Sequence, residues 1–142
     1  MLENGFNHES HTVVTEDGYI LKIFRIYKDT PYLENGMPRP VVMMQHGIED
    51  SADLMIVNGV EKSFAFILAD RGYDVWLGNS RGNKYSQQHI KLDPTEDFAY
   101  WDYSFVEMAK YDMPAFIEHI KRVTQLPEGQ KITYIGHSQG TS

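Results

Sequence analysis

The first third of the chain alternates between apolar runs and polar turns at the spacing of β-strands. Residues 12–15 and 19–27 are rich in β-branched and aromatic side chains, and a Glu-Asp-Gly turn separates them. Asp-Gly between two such runs favours a hairpin, because the turn requires a positive φ. After a loop over residues 28–40, which contains three prolines, residues 41–45 form a nearly continuous apolar run. This run is typical of a strand buried on both faces.

The next segment predicts a helix followed by another strand. Residues 61–70 place apolar side chains at helical spacing and stop before Gly72, which suits a helix C-terminus. Residues 73–77 then form an apolar strand. Residues 78–97 show no regular period and are predicted to be a long loop.

A longer helical region precedes the last predicted strand. Ser104 and Glu107 have the spacing of a capping box, which predicts that a helix begins there. Asp112 and Pro114 are expected to restart or kink it, because proline has no N–H to donate. Residues 131–135 form the final strand. The order of elements predicts an α/β fold, in which an N-terminal hairpin leads into a mostly parallel sheet with helices on both faces.

The composition fits one globular domain over residues 1–142 and narrows the possible partners. The chain is 42% hydrophobic and has 13 Lys and Arg against 20 Asp and Glu, a net charge of −7. Nucleic acid is not an expected partner, because phosphate binding requires clustered positive charge. The absence of cysteine excludes disulfides, thiolate metal sites and a cysteine nucleophile. Residues 1–5 lack the basic and apolar regions of a signal peptide, so none is expected in this chain.

The most informative motif is Gly136-His137-Ser138-Gln139-Gly140, directly after the last predicted strand. In a Gly-x-Ser-x-Gly elbow the serine stands on a sharp turn at the carboxyl edge of a sheet, and small residues on either side let the chain turn tightly. Free N–H groups of the following helix stabilise the developing alkoxide. The pattern indicates a nucleophilic Ser138; the alternative is a glycine-rich turn with an incidental serine.

A second motif, Gln45-His46-Gly47-Ile48, stands at the end of the predicted buried strand. In an α/β-hydrolase, one oxyanion-hole N–H comes from the residue after the nucleophile and another from the loop after an earlier strand. Gln139 and Ile48 occupy these two positions in the sequence. The alternative is an ordinary His-Gly strand end.

Several stretches carry a wider resemblance: residues 15–21 (TEDGYIL), 46–48 (HGI), 65–70 (AFILAD), 73–83 (YDVWLGNSRGN), 107–112 (EMAKYD) and 136–141 (GHSQGT). They resemble, in family order, the acid lipases, which are the gastric and lysosomal lipases. Residues 73–83 are the most specific stretch, and the similarity runs from about Gly5 to Ser142.

The resemblance implies the N-terminal half of an α/β-hydrolase fold and the hydrolysis of lipid esters such as triacylglycerols or sterol esters. On this basis Ser138 is the nucleophile, and the backbone amides of Ile48 and Gln139 form the oxyanion hole. The resemblance implies no metal or organic cofactor, a lipid ester as substrate, and transient contact with a lipid interface in the complete protein. It suggests a lysosomal or secreted protein, whereas the lack of a leader in this chain leaves the cytoplasm open.

Two positions depart from the family pattern. Glu49 stands where the family usually has an apolar residue after His-Gly-Ile, and Met55 stands where it usually has tryptophan. A carboxylate at position 49 is expected either to disfavour a long acyl chain or to point to solvent.

The other triad members are not expected among these residues. In this fold the order is Ser, acid, His, and only four residues follow Ser138. Upstream, His46 is interpreted as shaping its loop, and His119 is expected to be solvated on its helix. We therefore expect a truncated lipase-like serine hydrolase that lacks the C-terminal strands, helices and cap and is inactive alone. The alternatives are a non-catalytic remnant that binds an apolar ligand or a partner, and a thioesterase or peptidase of the same fold.

Overall fold

The N-terminal hairpin predicted from the sequence is present. The computed structural model describes residues 5–142; the first four residues, on which part of the leader-peptide expectation rests, lie outside this range. Strand β1 (Phe6–Val14) pairs with β2 (Tyr19–Lys28) in antiparallel register along its whole length, and Gly18 takes a φ of 98° in the turn. β1 begins well before the predicted start. Residues 7–12 are polar on both the exposed and the half-buried face, so this part of the strand shows no apolar alternation in the sequence.

The hairpin joins a mixed sheet through β2. The later strands are β3 (Val41–Gln45), β4 (Asp74–Gly78), β5 (Gln88–His89) and β6 (Thr133–Gly136). The strand order is β1-β2-β4-β3-β6, with β5 paired to β2 off this path. β4 is antiparallel to β2, whereas β3 is parallel to both β4 and β6. The carboxyl ends of these three parallel strands therefore meet at one edge, where ligands bind in open α/β sheets.

Helices cover both faces of the sheet, as predicted. They are α1 (Phe64–Asp70), the short α2 (Phe105–Glu107) and α3 (Met113–Thr124). β3 and β4 are fully buried, and their successive side chains alternate between two apolar clusters. One cluster packs under α1 and the other under α3. The cluster under α1 contains Val42, Met44, Val75 and Leu77 from the sheet and Ala65, Phe66 and Ala69 from the helix. The cluster under α3 contains Val41, Met43 and Trp76 from the sheet and Phe116 and Ile120 from the helix.

Two connections differ from the sequence-based expectation. α1 begins at Phe64, later than predicted, and Gly72 takes a φ of 88° just after its end. The loop predicted over residues 78–97 contains β5, which pairs with the first residues of β2. A strand of two residues is too short to show a period in the sequence. Among residues 5–142, none of the helices has the length and hydropathy that crossing a bilayer requires.

A π-helical turn connects α2 to α3. Ser104 Oγ accepts a hydrogen bond from the Val106 N–H, and the Glu107 carboxylate accepts one from the Ser104 N–H, so the predicted capping box is confirmed. Met108–Asp112 then form the π-helical turn. The expected restart or kink is thus a change of helical pitch without a break. Pro114 stands in the first turn of α3, where a missing N–H is tolerated.

Candidate active site

Ser138 stands on the sharp turn that follows β6. His137 is extended, with a φ of −116° and a ψ of 131°, and a short 3₁₀ turn over Ser138–Thr141 follows. Ser138 itself has a φ of 54° and is exposed. A non-glycine residue in this left-handed region carries about 1–2 kcal/mol of strain. The strain therefore falls on the residue that the motif predicts to be the nucleophile.

The two glycines of the motif allow close backbone contacts. A Cβ on Gly136 would overlap the carbonyl group of Gly140. A Cβ on Gly140 would lie 2.6 Å from the carbonyl oxygen of Gln45 and 2.8 Å from that of His46. Side chains do not approach backbone atoms this closely, so a larger residue at Gly136 would force the turn open, and one at Gly140 would push the turn away from the end of β3.

The loop after β3 lies directly against Ser138. A Cβ on Gly47 would lie 2.8 Å from Ser138 Cβ and 3.2 Å from Ser138 Oγ. The His137 N–H donates to the carbonyl oxygen of Gln45 at 3.0 Å, which ties the turn to the end of β3. The fold thus brings together the two motifs singled out in the sequence.

A cleft of about 840 Å³ opens beside this turn. Ile48 lines it from the loop after β3, and Gln139 lines it from the turn after β6. The loop after β4 and the segment around α2 complete the lining, and this segment includes Phe105 and Met108. The three predicted site residues, Ser138, Ile48 and Gln139, are therefore neighbours at the carboxyl edge of the parallel strands.

His46 is buried where the loops after β3 and β4 meet. Its Nδ1 lies 2.6 Å from the carbonyl oxygen of Gly47, so Nδ1 carries the proton and donates. Nε2 then accepts from the Ser80 N–H at 3.1 Å and from Asn83 Nδ2 at 3.1 Å. Burial lowers the pKa of His46 against the opposing effects of the Gly47 carbonyl and Asp50, which favours the neutral ring. With both nitrogens engaged, His46 shapes its loop and is not available as a base.

A buried ion-pair network holds the loop after β4, and the sequence did not reveal it. The Arg81 guanidinium donates to Asp112 at 2.7 and 2.9 Å and to Asp17 at 2.7 and 3.0 Å. It also lies 3.8 Å from the ring centre of Tyr19. Burial alone would lower the pKa of Arg81, but the two carboxylates raise it, so the side chain stays charged. The partners come from the hairpin turn and the π-helical turn, and no local pattern links them.

The two departures from the family pattern lie in different environments. Glu49 is exposed, has a φ of 59° and lines the cleft directly after Ile48. It forms no ion pair within residues 5–142, whereas the nearby Lys84 is paired with Asp53. Met55 is buried in the core beneath α1 and does not line the cleft.

The expectation that His119 is solvated is wrong. Its ring is half-buried and lies 5.0 Å from the His11 ring and 6.1 Å from the Trp76 ring, between centres. Burial lowers the pKa of His119, and His11 and Arg122 lower it further. His11 on β1 and Trp76 on β4 pack against α3 at this point, and a sequence pattern that counts only neighbours on the helix cannot detect such a contact.

Comparison with known proteins decides the family. A family model described as alpha/beta hydrolase fold matches residues 40–142, and a second, described as a partial alpha/beta-hydrolase lipase region, matches residues 1–59. The chain belongs to the α/β-hydrolase family. Within this family it corresponds to the N-terminal portion of the acid lipases, as the resemblance implied.

Curated relatives of this α/β-hydrolase include lipases from mammals and an insect. It is 51% identical over 139 residues to gastric triacylglycerol lipase of Mus musculus, covering 97% of this chain and 34% of the relative. Identity to lipase member K of Homo sapiens is 50% over 139 residues, with the same coverages of 97% and 34%. Identity to Lipase 1 of Drosophila melanogaster is 47% over 136 residues, covering 96% and 28%. The chain thus spans about a third of the length of these relatives.

Solved structures share the fold of this α/β-hydrolase. A putative lipase from Sulfolobus solfataricus superimposes with a TM-score of 0.63 at 17% identity, covering 96% of this chain and 39% of that chain. An esterase from Pyrococcus furiosus superimposes with a TM-score of 0.59 at 19% identity, covering 95% and 43%. At these identities the similarity shows the fold alone.

Proposed function

We propose that this chain supplies the nucleophile and the oxyanion hole of a serine hydrolase that cleaves carboxylic esters of lipids. The observation that carries the proposal is the close approach of Gly47 to Ser138, which joins the loop after β3 to the strained turn. Homology to triacylglycerol lipases supports lipid esters as substrates. The exposed apolar side chains of Ile48 and Phe105 beside the cleft suit an acyl chain.

In the proposed reaction Ser138 Oγ attacks the ester carbonyl carbon and gives its proton to a general base. The carbonyl electron pair moves to oxygen, and the N–H groups of Ile48 and Gln139 donate to the resulting oxyanion. The intermediate collapses, the alcohol leaves with the proton from the base, and an acyl group stays on Ser138. Water then attacks the acyl carbon by the same steps and releases the fatty acid.

We assign the base and its orienting acid to residues outside these 142. In this fold both follow the nucleophile along the chain, and the chain spans about a third of the length of its relatives. His46 lines the cleft, but its two ring nitrogens are engaged with backbone and side-chain groups. The proposal therefore assigns half of the catalytic apparatus to this chain.

The test uses a hybrid in which residues 5–142 replace the matched third of mouse gastric triacylglycerol lipase, a 51% identical relative. A fluorophosphonate probe should label Ser138 in the hybrid, which should release fatty acid from a triacylglycerol emulsion. Ser138→Ala should abolish both signals, whereas Ser142→Ala, at an exposed serine of the same turn, should change neither. The 142-residue chain alone should keep at most the roughly 10³–10⁴-fold acceleration over water that remains when a triad member is removed.

Three results would contradict the proposal in different ways. Labelling that persists in Ser138→Ala would remove Ser138 as the nucleophile. A labelled hybrid that cleaves thioesters or peptides but no lipid ester would favour another hydrolase of the same fold. A hybrid that unfolds cooperatively, yet shows neither labelling nor turnover, would favour a non-catalytic binding protein.

A further inference from the structure

We infer that His46 is a positioning residue: its neutral ring, protonated on Nδ1, aims the N–H of Ile48 by holding the carbonyl group of Gly47. The hydrogen bonds of the His46 ring follow from the geometry alone. The effect of His46 on catalysis rests on the proposed function, in which the Ile48 N–H donates to the oxyanion.

The Gly47 carbonyl and the Ile48 N–H are linked through one peptide unit. The Gly47 carbonyl and the Ile48 N–H belong to one planar trans peptide group, so they point in opposite directions from the same plane. His46 Nδ1 lies 2.6 Å from the Gly47 carbonyl oxygen. A donor that fixes the direction of this carbonyl therefore also fixes the direction of the Ile48 N–H, which points away from the buried ring.

The second step is the anchoring of the ring itself. His46 is 5% exposed, and its Nε2 accepts from the Ser80 N–H and from Asn83 Nδ2, each at 3.1 Å. These partners are themselves held: Ser80 Oγ accepts from Gln45 Nε2 at 2.9 Å, and Asn83 Nδ2 also lies 3.0 Å from Asn79 Oδ1. The ring thus rests on the loop after β4 and acts on the loop after β3.

The third step is that only one state of the ring satisfies all three contacts. In the other neutral tautomer the Nε2 proton would meet the Ser80 N–H, and the Nδ1 lone pair would face the Gly47 carbonyl oxygen. The doubly protonated ring would keep the Nδ1 bond but lose the acceptor that receives the Ser80 N–H. A buried donor left without an acceptor destabilises the fold, because it gives up its hydrogen bonds to water and gains none in return. The surroundings therefore select the Nδ1-protonated neutral ring.

His89 offers a matched control of opposite tautomer. Its Nε2 donates to the Asp17 carbonyl oxygen at 3.0 Å, and its Nδ1 accepts from the N–H groups of Lys91 at 3.0 Å and Leu92 at 3.1 Å. Like His46, it bridges a carbonyl group and a backbone N–H. It lies on β5 and does not line the cleft beside Ser138.

The first experiment reads the tautomers directly in the 142-residue chain labelled with ¹⁵N-histidine. Two-bond proton–nitrogen spectra at neutral pH should show His46 with a protonated Nδ1 and an unprotonated Nε2, and His89 with the reverse. His46→Gln and His89→Gln assign the two spin systems. A protonated Nε2 on His46, or the averaged shifts of a free imidazole, would overturn the inference whatever the activity of Ser138.

The second experiment compares two replacements of His46, to distinguish orientation of the Ile48 N–H from a general contribution to stability. In the hybrid lipase, His46→Asn keeps an amide N–H near the position of Nδ1, whereas His46→Gln keeps an amide oxygen near the position of Nε2. We expect kcat to fall about 10- to 100-fold in His46→Gln with KM within about twofold, because misplaced oxyanion donors lose transition-state binding only. His46→Asn should retain more of kcat, and His89→Gln should match the parent.

The outcomes remain distinct from those of the proposed function. Equal losses in His46→Asn and His46→Gln, or a loss that appears only in KM, would overturn the aiming role. Unfolding in urea, measured for all three variants, shows whether a loss of kcat follows a loss of stability instead. If Ser138 is never labelled in the hybrid, the proposed function fails, and the nitrogen spectra still decide the bonding of His46.

Discussion

Gly47 packs so closely against Ser138 that position 47 has no room for a side chain: a Cβ there would lie 2.8 Å from Ser138 Cβ. The backbone of Gly47 does not need a positive φ, unlike that of Gly18 in the hairpin turn. Glycine is therefore required at position 47 for space and not for backbone freedom. The Gly47–Ser138 contact sets the distance between the two halves of the candidate site.

The contact predicts a selective effect of Gly47→Ala. The added methyl group has to displace either Ser138 or the loop that carries Ile48, and a shift of about 1 Å at a reacting centre costs roughly 100-fold in rate. We expect kcat/KM of the hybrid lipase to fall by about this factor. Gly36→Ala is the control, because a Cβ there meets no atom within 4 Å and its φ of 79° costs stability only. Equal activity in the two variants would show that the Gly47–Ser138 contact is dispensable.

The strained φ of Ser138 predicts that glycine at this position stabilises the fold relative to alanine. Both Ser138→Gly and Ser138→Ala remove the hydroxyl group, but only glycine adopts a φ of 54° without strain. Because a left-handed non-glycine residue costs about 1–2 kcal/mol, and glycine loses part of this to its greater unfolded-state entropy, we expect Ser138→Gly to be more stable by about 1 kcal/mol. Urea unfolding of the 142-residue variants measures the difference. Equal stability would mean that the turn relaxes in solution.

The Arg81 network predicts an acid-sensitive contribution to stability. Partial burial raises the pKa of Asp17, but hydrogen bonds from Arg81 and Thr15 outweigh it, so the pKa lies below the ordinary value of 3.8. A carboxyl group with a lowered folded-state pKa stabilises the protein above the unfolded value, and this contribution disappears as the pH falls through the folded value. Asp17→Asn should therefore cost about 1–3 kcal/mol at neutral pH.

The cost of Asp17→Asn should shrink once the pH drops below 3.8. Unfolding in urea from neutral pH to pH 3 provides the measurement. Asp29→Asn removes a carboxylate at an exposed position outside any ion pair within the described chain, and it serves as the control. A constant penalty for Asp17→Asn over the whole range would contradict the assignment.

Glu49 predicts charge selectivity in the hybrid lipase. Its carboxylate stands at the cleft, next to Ile48, without an ion-pair partner among residues 5–142. Over about 10 Å of partly solvated space a unit charge is worth about 0.5–1.5 kcal/mol. Glu49→Gln should therefore raise kcat/KM for an ester with an anionic acyl group about 2- to 10-fold and lower it for a matched cationic ester.

The selectivity change at Glu49 should weaken in 1 M salt, because salt screens exposed charges. Glu34→Gln removes the same charge from an exposed loop that does not line the cleft, and it should leave the ratio of the two substrates unchanged. A ratio that stays constant in Glu49→Gln would show that this carboxylate points to solvent.

Local patterns were sufficient for the features that neighbouring residues determine. The apolar runs of β3 and β4, the Asp-Gly turn and the capping box at Ser104 all depend on residues a few positions apart, and all are present. The turn at Ser138 could also be predicted from a short motif, because Gly136 and Gly140 stand at the two positions where backbone atoms leave no room for a side chain. The catalytic roles of Ser138, Ile48 and Gln139 stay predictions.

Features that depend on distant partners were not predictable. In the sequence Arg81 is an ordinary loop residue. Its partners Asp17 and Asp112 lie in the hairpin turn and the π-helical turn, and only the folded structure brings them into contact with it. β5 is held by its pairing with β2, and residues 7–12 of β1 are polar on both faces yet pair with β2 through the backbone. The half-buried state of His119 likewise comes from β1 and β4, which pack across from α3.

The strand order has a consequence for how the chain is made. β3 reaches the hairpin only through β4, although β4 comes later in the chain and a helix separates the two. During synthesis at about 5–20 residues per second, the apolar β3 therefore waits a few seconds before its first partner has been translated. A nascent chain at this stage carries β3, four apolar residues followed by Gln45, before either of its neighbours in the sheet has been translated. A co-translational chaperone would shield β3 mainly during this interval, and a ribosome pause between β3 and β4 would prolong it.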